Sequence, residues 1–107
     1  MTLTIQNPLF YTRPSTDRPL PREQLVALVE VALVAGEHRY ARRAALAWLA
    51  CFPGDLPIHL LHARALLQEG QAVQALPILE RLCQLDPEFL LAQELLASTR
   101  RQLGMEA

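Results

Sequence analysis

The sequence predicts an all-α domain, a succession of about five antiparallel helices built on a 34-residue period. Leu and Ala dominate the apolar half of the 107 residues, and together with Glu, Gln and Arg they are strong helix formers. Val, Ile and Thr, which favour sheets, form no alternating run beyond the first few positions. Sliding the sequence along itself by 34 places brings Gly36, Gly70 and Gly104 into one register, and Pro19, Pro53 and Pro87 into another. Ala41 then falls on Ala75 and Ala63 on Ala97, and two periods bring Leu28 onto Leu96. Three of four glycines in a single register define a repeat.

Each period reads helix, glycine turn, helix, proline turn. The first helix starts behind Pro19 and Pro21, runs over 22–35 and stops at Gly36, where a left-handed C-terminal residue carries no Cβ clash. The second covers 38–51 and ends before Phe52-Pro53-Gly54. Asp55 is placed to cap the third, over 56–69, with Pro57 tolerated in its first turn and Gly70 at its end. The fourth covers 72–85, with a bend or a loosened first turn expected at Pro77. Asp86-Pro87-Glu88 reads as the start of a fifth that ends before Gly104, a capping acid followed by proline at the first helical position. The predicted core is Leu28, Ala32, Ala41, Ala45, Leu49, Ala63, Leu66, Ala75, Leu79, Leu82 and Leu96.

These positions resemble the tetratricopeptide repeat family, whose period is also 34. Its signature places fall on Leu25, Leu28, Val29, Ala32, Ala41, Ala45 and Pro53 in the first repeat. In the second they fall on His59, His62, Ala63, Leu66, Ala75, Leu79 and Pro87. Val29 is larger than the small residue the family places there, His62 replaces its Leu, and Arg100 stands where a third repeat has an aromatic. The resemblance implies a right-handed α-α superhelix, a solenoid over residues 21–107 with repeats at about 22–55 and 56–89 and a partial third at 90–104. Residues 1–20 stand outside it as an extended leader, whose Leu9, Phe10 and Tyr11 could pack on the solenoid.

Ten basic and eleven acidic residues leave the chain near neutrality, which gives no footprint for nucleic acid or an anionic membrane. The longest mostly apolar stretch, 25–35, is too short to span a bilayer, and the start of the chain does not read as a secretory signal. Cys51 and Cys83 in apolar helical settings read as free buried thiols in a reducing cytoplasm. No Ser, Cys or His sits in a nucleophile setting and no glycine-rich loop could cradle phosphate. The sequence therefore predicts no enzyme, no cofactor and no small-molecule substrate. His59 and His62 have a metal-compatible spacing but fall at helix-packing positions, so no metal is assigned. Arg39, Arg42 and Arg43 form a basic stripe that reads as a solvated outer face.

In the resembled family the first helix of each repeat lines a concave groove for a peptide or partner helix. That implies partner-binding roles for Val26, Glu30 and Leu33, for Leu60, Arg64 and Leu67, and for Glu94 and Ser98, with Arg101 one turn further on. Arg64 then lies between two acids in an otherwise apolar groove suited to an apolar or mixed partner. The expected function is a protein-interaction module; the alternative is a small secretion-type chaperone that sheathes an apolar export subunit. With both end helices reading as apolar and without polar capping faces, a homodimer through 25–35 or 89–103 is also expected.

Overall fold

The computed structural model describes residues 20–105, which form five α-helices and no strand. They are α1 (Arg22–Val34), α2 (His38–Cys51), α3 (Leu56–Gln68), α4 (Ala72–Leu85) and α5 (Leu90–Gln102). The leader, except for Leu20, lies outside the described residues. Each helix packs against the next, and α1 also reaches α3. The first, third and fifth helices begin and end 34 residues apart, and so do the second and fourth.

The turns explain that regularity. After α1 the amide of Gly36 donates to the Leu33 carbonyl at 3.1 Å and that of Glu37 to Ala32 at 2.8 Å. Gly70 and Gln71 repeat the pair after α3, and Gly104 and Met105 repeat it after α5. The three glycines hold φ of +80°, +79° and +72°, a conformation that L side chains adopt only with strain. Orphan carbonyls at each helix end are thereby satisfied.

Two apolar clusters fill the array, and α3 belongs to both. Its Ile58, Leu61 and Ala65 join Leu25 and Val29 of α1 with Ala41, Ala45 and Leu49 of α2. Its Leu60, Ala63 and Leu66 join Ala75, Leu79 and Leu82 of α4 with Ala92 and Leu96 of α5. Ile58 and Leu79 are fully buried, and burying a side chain of that size contributes about 1.5–3 kcal/mol. Ala41, Ala45, Ala63 and Ala75 are 0% exposed, and their small size lets the backbones approach closely.

Several expectations are corrected. Leu28 is 41% exposed, because among the described residues no helix lies in front of the face it shares with Val31 and Val34. Asp55 occupies the position before α3 but makes no side-chain capping bond. Its carboxylate instead accepts from Arg22 Nε and Nη2 at 2.7 and 2.8 Å and from Trp48 Nε1 at 2.7 Å. Asp86 accepts from the Glu88 amide at 3.2 Å, and α5 begins only at Leu90, beyond the turn so formed. Helix α4 runs without interruption through Pro77. The carbonyl that proline deprives of a donor belongs to Val73, on an exposed turn. Cys51 is exposed and Cys83 half-buried, both as free thiols.

The two ends of the array differ, which corrects the expectation that neither is polar. Leu25, Val29 and Ala32 of α1 are buried under α2, and the matching Ala63 and Leu66 of α3 are buried under α4. At the same places α5 carries Gln93, Ala97 and Arg100, all exposed, with Arg100 Nη2 3.4 Å from Glu80 Oε2. This outward stripe of α5 is compatible with water.

Candidate functional site

Helices α1, α3 and α5 share one side of the array, where the partner-binding residues were expected. The structure divides them into three groups. Leu33 and Leu60 are 2% and 6% exposed and serve chiefly as core, with Leu60 also reaching a recess between α3 and α5. Val26 and Leu67 are half-buried and pack against the first and second clusters. Glu30, Glu94 and Ser98 are exposed, with Arg64 between the two classes.

What comes together is a recess of about 360 Å³ between α3 and α5, lined by Leu60, Arg64, Leu91, Glu94 and Leu95. Leu60 forms its floor, while Leu91, 62% exposed, stands at its mouth. The helical spacing of Leu60 and Arg64, i and i+4, puts them on one face, as it does Leu91 and Leu95. Arg64 Nη1 lies 3.9 Å from Glu30 Oε2, a loose and well-solvated pair that contributes little. The recess thus has an apolar floor and wall, one cation and one acid. Leu91 and Leu95 were missed as lining residues because the repeat carries Leu60 and Arg64 onto Glu94 and Ser98. The two leucines are instead the counterparts of Pro57 and Leu61, so the recess draws on different register places of the two helices.

Two further recesses occupy equivalent places in the two repeats. One, of about 320 Å³, includes Leu25, Ala44, Ala47, Trp48 and Cys51. The other, of about 430 Å³, includes the 34-residue counterparts His59, Ile78, Arg81, Leu82 and Leu85. Each is the wedge left where the two helices of a repeat diverge, and each can take an apolar side chain.

The histidines serve packing. His59 Nε2 is 2.8 Å from the Pro53 carbonyl, which it can reach as a donor. Burial, then the neighbouring His59 and Arg42, lowers the pKa of His62 and favours its neutral ring. Among the described residues no group of three or more His, Cys, Asp or Glu could hold a metal ion. Of the basic stripe, Arg39 and Arg43 differ in role from Arg42, whose Nε donates to Glu69 Oε2 at 3.0 Å. No described helix is long and apolar enough to cross a membrane. Comparison with protein-family models, with curated proteins and with solved structures gives no match.

Proposed function

We propose that this chain is a non-catalytic protein-interaction module, a right-handed tetratricopeptide-type solenoid that holds a peptide or helix of a partner protein. The observation that carries the reading is the recess between α3 and α5, where Leu60, Leu91 and Leu95 offer apolar surface beside Arg64 and Glu94. Apolar anchors give affinity to such a groove, and the two charges at its edge fix the orientation of what enters. The favoured occupant is an amphipathic segment with an apolar ridge flanked by charges of both signs. Free thiols at Cys51 and Cys83 are consistent with work in a reducing cytoplasm.

Leu91→Glu tests the reading, because Leu91 is exposed and its loss leaves the core intact, whereas a charge at the buried Leu60 would disturb folding. Immobilised wild-type and variant chains are offered the proteins of the native cell, and retained proteins are compared by mass spectrometry. A partner held by the wild type should be lost by the variant, a loss of more than about 1 kcal/mol, with helicity unchanged. Identical retention by both chains would remove the recess from consideration.

A further inference from the structure

The wedges of the two repeats occupy the same places in the register, but two substitutions set the second apart. In the first, Leu20 brings an aliphatic side chain to the space between α1 and α2. Thirty-four residues on, that place is Gly54, which has no side chain, and the wedge is the larger, at about 430 Å³ against about 320 Å³. A Cβ built at Gly54 would meet no atom within 4 Å, so open space lies where a side chain would stand. The second substitution concerns charge. Ala47 lines the first wedge, and its counterpart Arg81 lines the second.

The depth of the second wedge is apolar. Leu82 at its floor is 2% exposed, and Leu56 and Ile78 beside it are half-buried. Arg81 is exposed and forms no ion pair or hydrogen bond among the described residues, and no Asp or Glu lines the wedge. A recess of this volume, mostly apolar with a charged group at its edge, has the composition of a small-molecule site. The apolar part selects a hydrocarbon, as Leu20 illustrates in the first wedge. The guanidinium selects a carboxylate, whose two oxygens match its paired N–H donors. An alkyl amine would be repelled by the same group, and an alcohol would leave its charge unanswered.

We propose that the wedge between α3 and α4 binds a small aliphatic carboxylate, with its chain over Leu56, Ile78 and Leu82 and its carboxylate at Arg81. This is a ligand class that the sequence does not predict. The wedge shares no lining residue with the recess between α3 and α5, so the proposal neither rests on that site nor competes with it. The first wedge, lined by Leu20 and by no cation, serves as an internal control.

Two-dimensional amide NMR of the full chain, titrated with hexanoate, reads the binding directly. The amides of Gly54 and Ile78 should shift and saturate, while that of Ala44 in the first wedge should stay in place. Gly54→Leu supplies in the second wedge the side chain that Leu20 supplies in the first, and should weaken hexanoate by about tenfold or more. Gly54 is not among the glycines with positive φ, so helicity should be unchanged in that variant. Arg81→Gln, at an exposed position, supplies the second measurement. It should weaken hexanoate by about tenfold while leaving the weaker binding of hexanol as it was, a split that a general disturbance of the fold would not give. The absence of saturable shifts at Gly54 and Ile78 with hexanoate overturns the proposal. So do equal affinities of the wild type for hexanoate, hexanol and hexylammonium, and undiminished hexanoate binding by Arg81→Gln.

Discussion

The junction between the first and second repeats and the junction between the second and third occupy the same places in the register but are made of different chemistry. At the first, Arg22 and Trp48 converge on Asp55, His38 and Arg42 converge on Glu69, and His62 sits half-buried on α3. Thirty-four residues later these places hold Leu56, Leu82 and Phe89, then Ala72, Leu76 and Leu103, then Leu96. Most of that second set belongs to the second apolar cluster. One backbone geometry thus accepts either a polar or an apolar joint. The apolar joint rests on non-directional burial. The polar joint rests on directed hydrogen bonds, whose strength depends on each partner being present and charged.

Mutation should expose the difference most sharply at the second joint. Leu82 is 2% exposed, so Leu82→Ala should destabilise the domain by about 2–5 kcal/mol through lost burial and the cavity left behind. Denaturant unfolding should give the same loss at low and high salt. A loss that shrinks with salt would mean that the second joint has an electrostatic component after all.

At the first joint Asp55→Ala removes the acceptor of Trp48 Nε1 and the ion partner of Arg22. The expected loss is about 1–3 kcal/mol, most of it from leaving a half-buried indole N–H without its bond. Chemical denaturation checks the loss, and a red shift in the emission of Trp48, the single tryptophan, reports the freed indole. Stability equal to the wild type would show that water replaces the carboxylate without penalty.

The smallest and most selective effect is acid sensitivity. Arg22 is the main reason that Asp55 lies below its ordinary 3.8, and Arg42 the main reason that Glu69 lies below its ordinary 4.5. A carboxylate with a depressed folded pKa stabilises the fold above its unfolded value, and that contribution is lost as pH falls through the folded value. His62, held below 6.5 by burial, acts in the same direction and begins to oppose folding below that pH. The thermal midpoint should therefore sag slightly below pH 6.5 and more steeply below about pH 4, with Trp48 emission changing in the second step. Asp55→Asn should flatten that second step; an unaltered profile would place the acid-sensitive contacts elsewhere.

How much of this was legible in the sequence depends on whether the information is local. The period, the three glycine turns and the helix limits follow from residues close in the chain, and α1 to α4 begin where expected. The face each helix buries was legible for most of the expected core, at Ala32 of α1 and Leu96 of α5 as at Ala63 and Ala75. Leu28 misled because nothing in its own helix tells which of its apolar positions a neighbouring described helix covers. Leu33 and Leu60 are more buried than a groove lining suggests, because one stripe of α1 and α3 both borders the groove and closes the core. Asp55 is the clearest non-local case, since its position before α3 suggested a cap while its partners lie on α1 and α2.

The recurrence of one turn at Gly36, Gly70 and Gly104 also bears on how quickly the chain finds its shape. Each turn is closed by bonds spanning only a few residues, and each helix rests mainly on the one next to it in sequence. Little loop-closure entropy must be lost before the first favourable contact forms, which is the condition for folding on the microsecond-to-millisecond scale of helical domains. Assembly can start at either helical hairpin and spread outward, so the ends open and close more readily than the middle. Helix α3, which belongs to both clusters, is the last element to be released when the molecule breathes.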